Sequence, residues 1–373
     1  MMITKSLKDL ALNISEAEYR ELPQLSYSAL ARYEKNGFSI IPHLYDKQEG
    51  EALTFGSMVD TIITEGMEKF KEKFAVSNFK LPSEALVLIT QTLYSQCSQE
   101  TLDEVPDEEI LNVCNSLEYC MRMGNDTRIR KVREGCTEYY NSLKACIGKT
   151  IVTEQTYQEV LATVGALKSS PQSAKYLRQT DEEGQIEFLY QQKFCTTLNG
   201  LEVKCMFDLL IVNHLQKIIM PIDLKTTSVP EYDFQRKFIE NRYDIQSRLY
   251  YKILREVIMQ DDYFKDFKIA DFRFLVVNKD SLNPMLFQDE LCSKSGDFEF
   301  VFKSGYKKNF RDPITIGFEL KHYLNRSAHI QVIWNLGICV KIMFKLKTNG
   351  DRVSEILFVP TFEYKFKVSR FRT

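Results

Sequence analysis

Asp223 and Lys225, in the stretch PIDLKTTS (residues 221–228), are the two residues whose types and spacing most readily do chemistry. An acid and an amine two apart on a strand project from the same face. The alternate positions Met220, Ile222 and Leu224 make the opposite face apolar. A second carboxylate, Asp208, closes the apolar part of the preceding strand-like run, fifteen residues earlier. If 202–213 and 217–226 pair through the short turn near His214 to Gln216, the two aspartates become cross-strand neighbours. Carboxylates forced together repel, and burial worsens the repulsion. A divalent cation such as Mg²⁺ or Mn²⁺ removes that penalty. Lys225 on the same face can then orient a water or stabilise charge developing on a phosphorane. Such parts suit phosphodiester hydrolysis. They would also serve as a semi-buried ion pair of Asp208 with Lys225 or Lys204.

The acid-x-Lys tripeptide alone decides nothing. It recurs at Glu202-Lys204, Asp266-Lys268, Glu319-Lys321 and Glu363-Lys365. Context separates the occurrence at 223. It ends a strongly apolar strand, has Asp208 upstream and is followed by a long helix pattern.

Three strand patterns, 185–195, 202–213 and 217–226, must position this chemistry. The Asn199-Gly200 turn and the 214–216 turn imply an antiparallel meander. An amphipathic helix is expected over roughly 231–258 and a strand over 271–279. Upstream, SYSALARYEKN reads as a helix with Ser26 as its N-cap. Residues 51–65 form a second helix, with Met58, Val59, Ile62 and Ile63 on its apolar face. Residues 82–147 are largely helical, and 153–178 is helical with a break near Pro171. GYKKNFRDP reads as a basic loop, and 341–348 with 354–368 as a hairpin. These patterns divide the chain into an N-terminal helical part (1–81), a helical insertion or cap (82–150), a catalytic core (151–290) and a C-terminal extension (291–373).

The bulk composition narrows the function classes. With 373 residues, 44% hydrophobic and 27% charged, the chain can bury a sizeable core. A formal charge of −2 gives no global basic surplus, so a DNA-binding surface has to be local. Nine cysteines without a CxxC pair, and four histidines, argue against a common zinc site. The odd cysteine count and the lack of an apolar leader point to reduced thiols in a cytoplasm. No run approaches the length of a membrane span.

Asp208, then PIDLKTT, then a helix containing YDIQSRLYYK resembles the PD-(D/E)XK nuclease superfamily, most closely its RecB-like and RecE-like (phage-type) exodeoxyribonucleases. The likeness extends over roughly 25–65 and 150–280. It implies an α/β fold with a restriction-endonuclease-like core, a mixed central sheet flanked by helices, here with a helical insertion. The implied activity is Mg²⁺-dependent (or Mn²⁺-dependent) hydrolysis of double-stranded DNA from its ends, in phage recombination or DNA processing. A single-strand annealing protein is the implied partner, and a homo-oligomer an implied assembly. Single-strand or structure-specific endonuclease activity, or non-catalytic DNA binding on a decayed nuclease fold, are the alternatives.

The resemblance also implies roles for single residues. Asp208 and Asp223 are metal ligands, joined by Glu187 in GQIEFLYQQKF, for which Gln191 is a rival. Lys225 positions water. Gln246 and Tyr250 match a Gln-x-x-x-Tyr motif that organises water and the DNA backbone. TFGSMVDTIITE resembles the family's FGxxxH helix, with Asp60 where histidine is usual, as a further ligand. Lys204 matches a basic residue expected to meet a phosphate. Lys303, Lys307, Lys308 and Arg311, with Lys365, Lys367, Arg370 and Arg372, are candidates for a positive DNA path.

Overall fold

Alternating apolar runs joined by tight turns build a central mixed sheet, and helices with one apolar face cover it. This computed structural model describes residues 5–46, 48, 50–178, 184–301 and 305–335, with side chains described to Asn325. The described residues fall into two compact units, one within 5–28 and 45–295, the other within 29–44 and 296–335.

The larger unit begins with helix α1 (Glu16–Glu21), capped by Ser15 and Glu18 in reciprocal bonds to the backbone. Helix α2 (Tyr27–Asn36) starts at its border. Next come α3 (Glu51–Thr64), α4 (Met67–Lys73) and a short strand β1 (Phe74–Ser77). Helices α5 (Glu84–Gln96), α6 (Asp107–Ser116) and α7 (Asn125–Ala145) then close on a core of their own that includes Ile89, Leu93, Ile110, Val132 and Tyr140. Strand β2 (Thr150–Thr153) returns to pair in parallel with β1, and α8 (Glu154–Ser169) leads to the sheet.

Strands β3 (Ile186–Leu198), β4 (Leu201–Asn213) and β5 (Ile218–Thr227) form the expected antiparallel meander. Asn199 and Gly200 both take positive φ in the first turn, as a tight hairpin requires. The connection after β5 is not one helix over 231–258. Helix α9 (Phe234–Glu240) stops, Arg242 takes the left-handed conformation with φ 57°, and α10 (Tyr243–Met259) starts afresh. Short β6 (Lys268–Ile269) and then β7 (Phe272–Asn278) lie parallel to β5, and β8 (Pro284–Asp289) lies antiparallel to β7. The main path runs β3-β4-β5-β7-β8. The layer of α3 and α8 buries Phe55, Met58, Val160 and Val164 against Leu209, Ile222 and Leu275. On the other face, Tyr250 of α10 packs against Phe207 and Phe272.

The smaller unit holds most of α2, a hairpin of β9 (Phe298–Val301) and β10 (Lys307–Phe310), and α11 (Pro313–Asn335). The expected basic loop is therefore partly strand. Lys307 pairs with Glu299 at 3.0 Å, and Arg311 is held between Glu34, at 2.9 Å, and Glu319. Lys308 lies on the same strand, partly buried. Lys303, the expected C-terminal hairpin and Lys365, Lys367, Arg370 and Arg372 lie outside the described residues. Among the described residues no helix is long and apolar enough to cross a membrane.

Candidate active site

The regular ladder between β4 and β5 ends at Leu209 opposite Ile222, so one step further the register sets Asp208 opposite Asp223. There Asp208 Oδ2 accepts a hydrogen bond from the backbone N–H of Leu224 at 2.8 Å. A side chain thus takes over from the ladder at the point where β5 turns to pair with β7. Asp223 is 3% exposed. Its Oδ1 accepts from Gln246 Nε2 at 2.6 Å, and its Oδ2 is ion-paired with the Lys225 ammonium without an aligned hydrogen bond. Gln246 Oε1 is also buried without a hydrogen-bond partner.

A third carboxylate arrives from α3. Gly56 lets this helix approach β5 closely: a Cβ there would stand 3.2 Å from Thr226 Oγ1. Asp60, one turn on, presents both oxygens to Gln191 Nε2, at 3.2 and 3.0 Å. Gln191 lies at φ 52°, a left-handed conformation costly for a residue with a Cβ. It is the residue that faces Asp208 across the β3–β4 ladder, between the pairs Tyr190–Leu209 and Gln192–Phe207.

This kink explains which expected site residues are absent. Phe207 meets Tyr250 on the α10 side, whereas Leu209 and Ile211 lie with Phe55 and Met58 on the α3 side. Strict alternation is broken at the Gln191–Asp208 step, so faces assigned by period two across it are wrong. Glu187 is consequently not in the site. Its Oε2 bonds His214 Nε2 at 3.0 Å and accepts the Leu7 N–H at 3.3 Å, and His214 Nδ1 bonds the Tyr263 hydroxyl at 3.0 Å. Gln191, the rival, stands where Glu187 was expected. Lys204 does not face a phosphate either. It is 6% exposed, and its ammonium donates to the carbonyls of Tyr19, Arg20 and Leu22 at 2.8, 3.1 and 2.6 Å, closing the C-terminus of α1. Tyr250, expected at the DNA backbone, is a core residue, its ring 5.1 Å from that of Phe207.

The assignment of Lys204 is testable. Lys204→Ala removes a buried ammonium from three carbonyls at the end of α1, of which that of Tyr19 keeps the Leu22 N–H, and is expected to cost about 1–2 kcal/mol of stability. Urea denaturation measures it. A change in the salt dependence of DNA binding without a change in stability would return Lys204 to the DNA surface.

The electrostatics of the convergent set are unfavourable as the chain stands. Burial, then repulsion from Asp223, Glu65 and Glu16, pushes the Asp60 carboxyl up to about 7. Burial, then Asp223 and Asp60, pushes Asp208 well above the usual carboxylate range, with Lys225 and the Leu224 N–H opposing. Burial is the largest influence on Lys225 and lowers its pKa, but Asp223, Tyr243, Asp208 and Tyr27 together outweigh it and hold the ammonium charged. Carboxylates that keep their protons in a buried cluster, together with an Asp223 oxygen that faces Lys225 without an aligned hydrogen bond, match the charge and hard oxygen donors that Mg²⁺ or Mn²⁺ takes. Among the described residues, however, no three His, Cys, Asp or Glu side chains are gathered as a ready cage.

No family model matches the chain, and no curated protein matches it. Among solved structures, a protein from Eubacterium rectale described as a candidate exonuclease is similar over 87% of this chain and 88% of its own, with 12% identity and a TM-score of 0.37. A likeness of that grade assigns neither family nor activity.

Two tyrosines unremarked in the sequence complete the surroundings. The Tyr243 ring lies under the Lys225 ammonium, 5.0 Å from its centroid. Tyr27 donates its hydroxyl to the Asn241 carbonyl at 2.8 Å. The only sequence signal for Tyr243 was its place three residues before Gln246, on one helix face.

The raised carboxyls set a pH signature. Asp60 and Asp208 hold protons in the folded chain at pH values where the unfolded chain, with aspartates near 3.8, has lost them. The folded state therefore binds more protons, and stability falls as pH rises from about 4 to about 7 and beyond. A cation that binds only the folded, ionised cluster offsets this loss. Millimolar MgCl₂ is expected to raise the melting temperature more at about pH 8 than at about pH 5.5. Equal shifts at the two pH values would separate the cluster from metal binding.

Proposed function

We propose that this chain is a metal-dependent deoxyribonuclease that hydrolyses phosphodiester bonds from double-stranded DNA ends. The observation that carries the reading is Asp208 set opposite Asp223 on adjacent strands beside the Lys225 ammonium, with the Asp60 carboxyl of α3 near enough to raise that of Asp208. Such a buried acidic cluster is costly unless a cation joins it. Asp208 and Asp223 would hold the ion, with Asp60 as the third oxygen donor. Bound Mg²⁺ or Mn²⁺ would lower the pKa of attacking water and neutralise the leaving oxygen. Gln246 fixes the Asp223 carboxylate by its 2.6 Å hydrogen bond, which leaves the second oxygen directed to Lys225. Lys225 offers a fixed positive charge to a phosphate entering the cluster. Gln191 holds Asp60 by both of its oxygens.

Incubation with linear duplex DNA and with covalently closed duplex circles, each with MgCl₂ or EDTA, tests the reading. Progressive loss of the linear form with Mg²⁺ alone, and survival of the circle, is the expected result. Cleavage of the circle would mark an endonuclease. Asp60, at the position where the resembled family has histidine, favours a second reading, a non-catalytic DNA-binding protein on a nuclease-like fold. Binding of duplex ends without hydrolysis under either metal would select it.

A further inference from the structure

We infer that Tyr243 is a positioning residue for Lys225, and that the break between α9 and α10 exists to seat it. This rests on the nuclease reading of the site. Lys225 leaves β5 on a side chain with four rotatable bonds, and Asp223 alone fixes only one direction of its ammonium. The Tyr243 ring supplies the second, beneath the ammonium at 5.0 Å. That ring is immobilised. It stacks on Phe274 of β7, centroids 5.4 Å apart and planes 25° apart, and on Phe234 of α9 at 6.1 Å and 25°. Its hydroxyl accepts from Asn241 Nδ2 at 3.2 Å, and the Asn241 carbonyl accepts from Tyr27.

A continuous helix over 231–258 would carry Tyr243 elsewhere. The left-handed Arg242 sets its direction, and this unfavourable backbone is stabilised by the buried pair of Arg242 Nε with Asp244 Oδ1 at 2.9 Å. The four residues from Asn241 to Asp244 thus hold one aromatic face against β5. Gln246, one turn further along α10, reaches the other carboxylate oxygen of the same Asp223. One helix start therefore orients both members of the Asp223-Lys225 pair.

Two measurements test this. In protein labelled with ¹³C at the lysine ε-carbon, the Lys225 resonance, assigned by its loss in Lys225→Arg, should lie upfield because of the ring current. Tyr243→Phe should keep that position and Tyr243→Leu should lose it. In cleavage assays Tyr243→Leu should lower kcat about tenfold with KM little changed, and Tyr243→Phe should restore kcat to within about threefold. If Tyr243→Leu does not fold, phenylalanines of increasing fluorine content at position 243 keep the shape while draining the ring's negative face, and kcat should fall stepwise. An unmoved Lys225 resonance in Tyr243→Leu, or a kcat indifferent to fluorination, would overturn the inference. If the unsubstituted protein cleaves no DNA, the nuclease reading fails while the resonance still decides the role of Tyr243.

Discussion

Asp223→Asn is expected to lower kcat/KM on linear duplex DNA on the order of a thousandfold, equivalent to about 4 kcal/mol of transition-state stabilisation. The substitution keeps the shape of the side chain and an oxygen for the 2.6 Å hydrogen bond from Gln246. What it removes is the negative charge that would hold a cation and that now faces Lys225. One of the repelling carboxylates is gone but the Lys225 ammonium loses its partner, so thermal stability without metal should change little at alkaline pH. The larger Mg²⁺-induced stabilisation at high pH should shrink. Retained cleavage beside unchanged folding would remove Asp223 from the chemistry.

Lys225→Ala is expected to match that loss of cleavage, on the order of a hundred- to a thousandfold, as for removal of a fixed donor from a charge-stabilising site. Its stability signature differs. Asp223 stays buried, and its Oδ2 loses the ammonium it is paired with. Removing one partner of such a pair is destabilising, here by up to about 3 kcal/mol, since Lys225 keeps some exposure. The deficit should grow as pH rises and be reduced by Mg²⁺. The two variants together therefore separate the roles: one loses the metal response with little change in metal-free stability, the other loses stability and keeps the response. Cleavage at the original rate by Lys225→Ala would leave the ammonium a structural counter-charge.

The arrangement of Asp208, Asp223 and Lys225 was legible because it depends on local rules. Strand period fixed the face of Lys225 relative to Asp223, and a short turn fixed the register that sets Asp208 opposite. The meander and the buried face of α3 followed from the same periodicity. Glu187 and Lys204 were misplaced because that periodicity was carried through the Gln191–Asp208 step, where a left-handed residue turns β3 and the next side chains change face. Glutamine carries no signal for positive φ of the kind that asparagine before glycine gives at Asn199. The break at Arg242 escaped for the same reason: YDFQRKFIENRYDIQ contains neither glycine nor proline to interrupt the helical pattern. Tyr250 shares a helix face with Gln246, but one turn of α10 carries it from the carboxylates into the aromatic layer of Phe207 and Phe272. Helix spacing reports a shared face, not how far along that face the solvent reaches.

The parallel pairing of β1 with β2 has a consequence for how this chain can vary. Phe74 faces Thr150 and Ser77 faces Thr153, so everything from α5 to α7 leaves and rejoins the unit within the span of a four-residue strand, roughly 10 Å. That bundle fills its own interior. Its length and surface are thus decoupled from the sheet, which needs only that the two short strands stay side by side. A bridge of about six flexible residues could replace it, so relatives sharing the aspartate pair are free to carry a different appendage, or none, at this point.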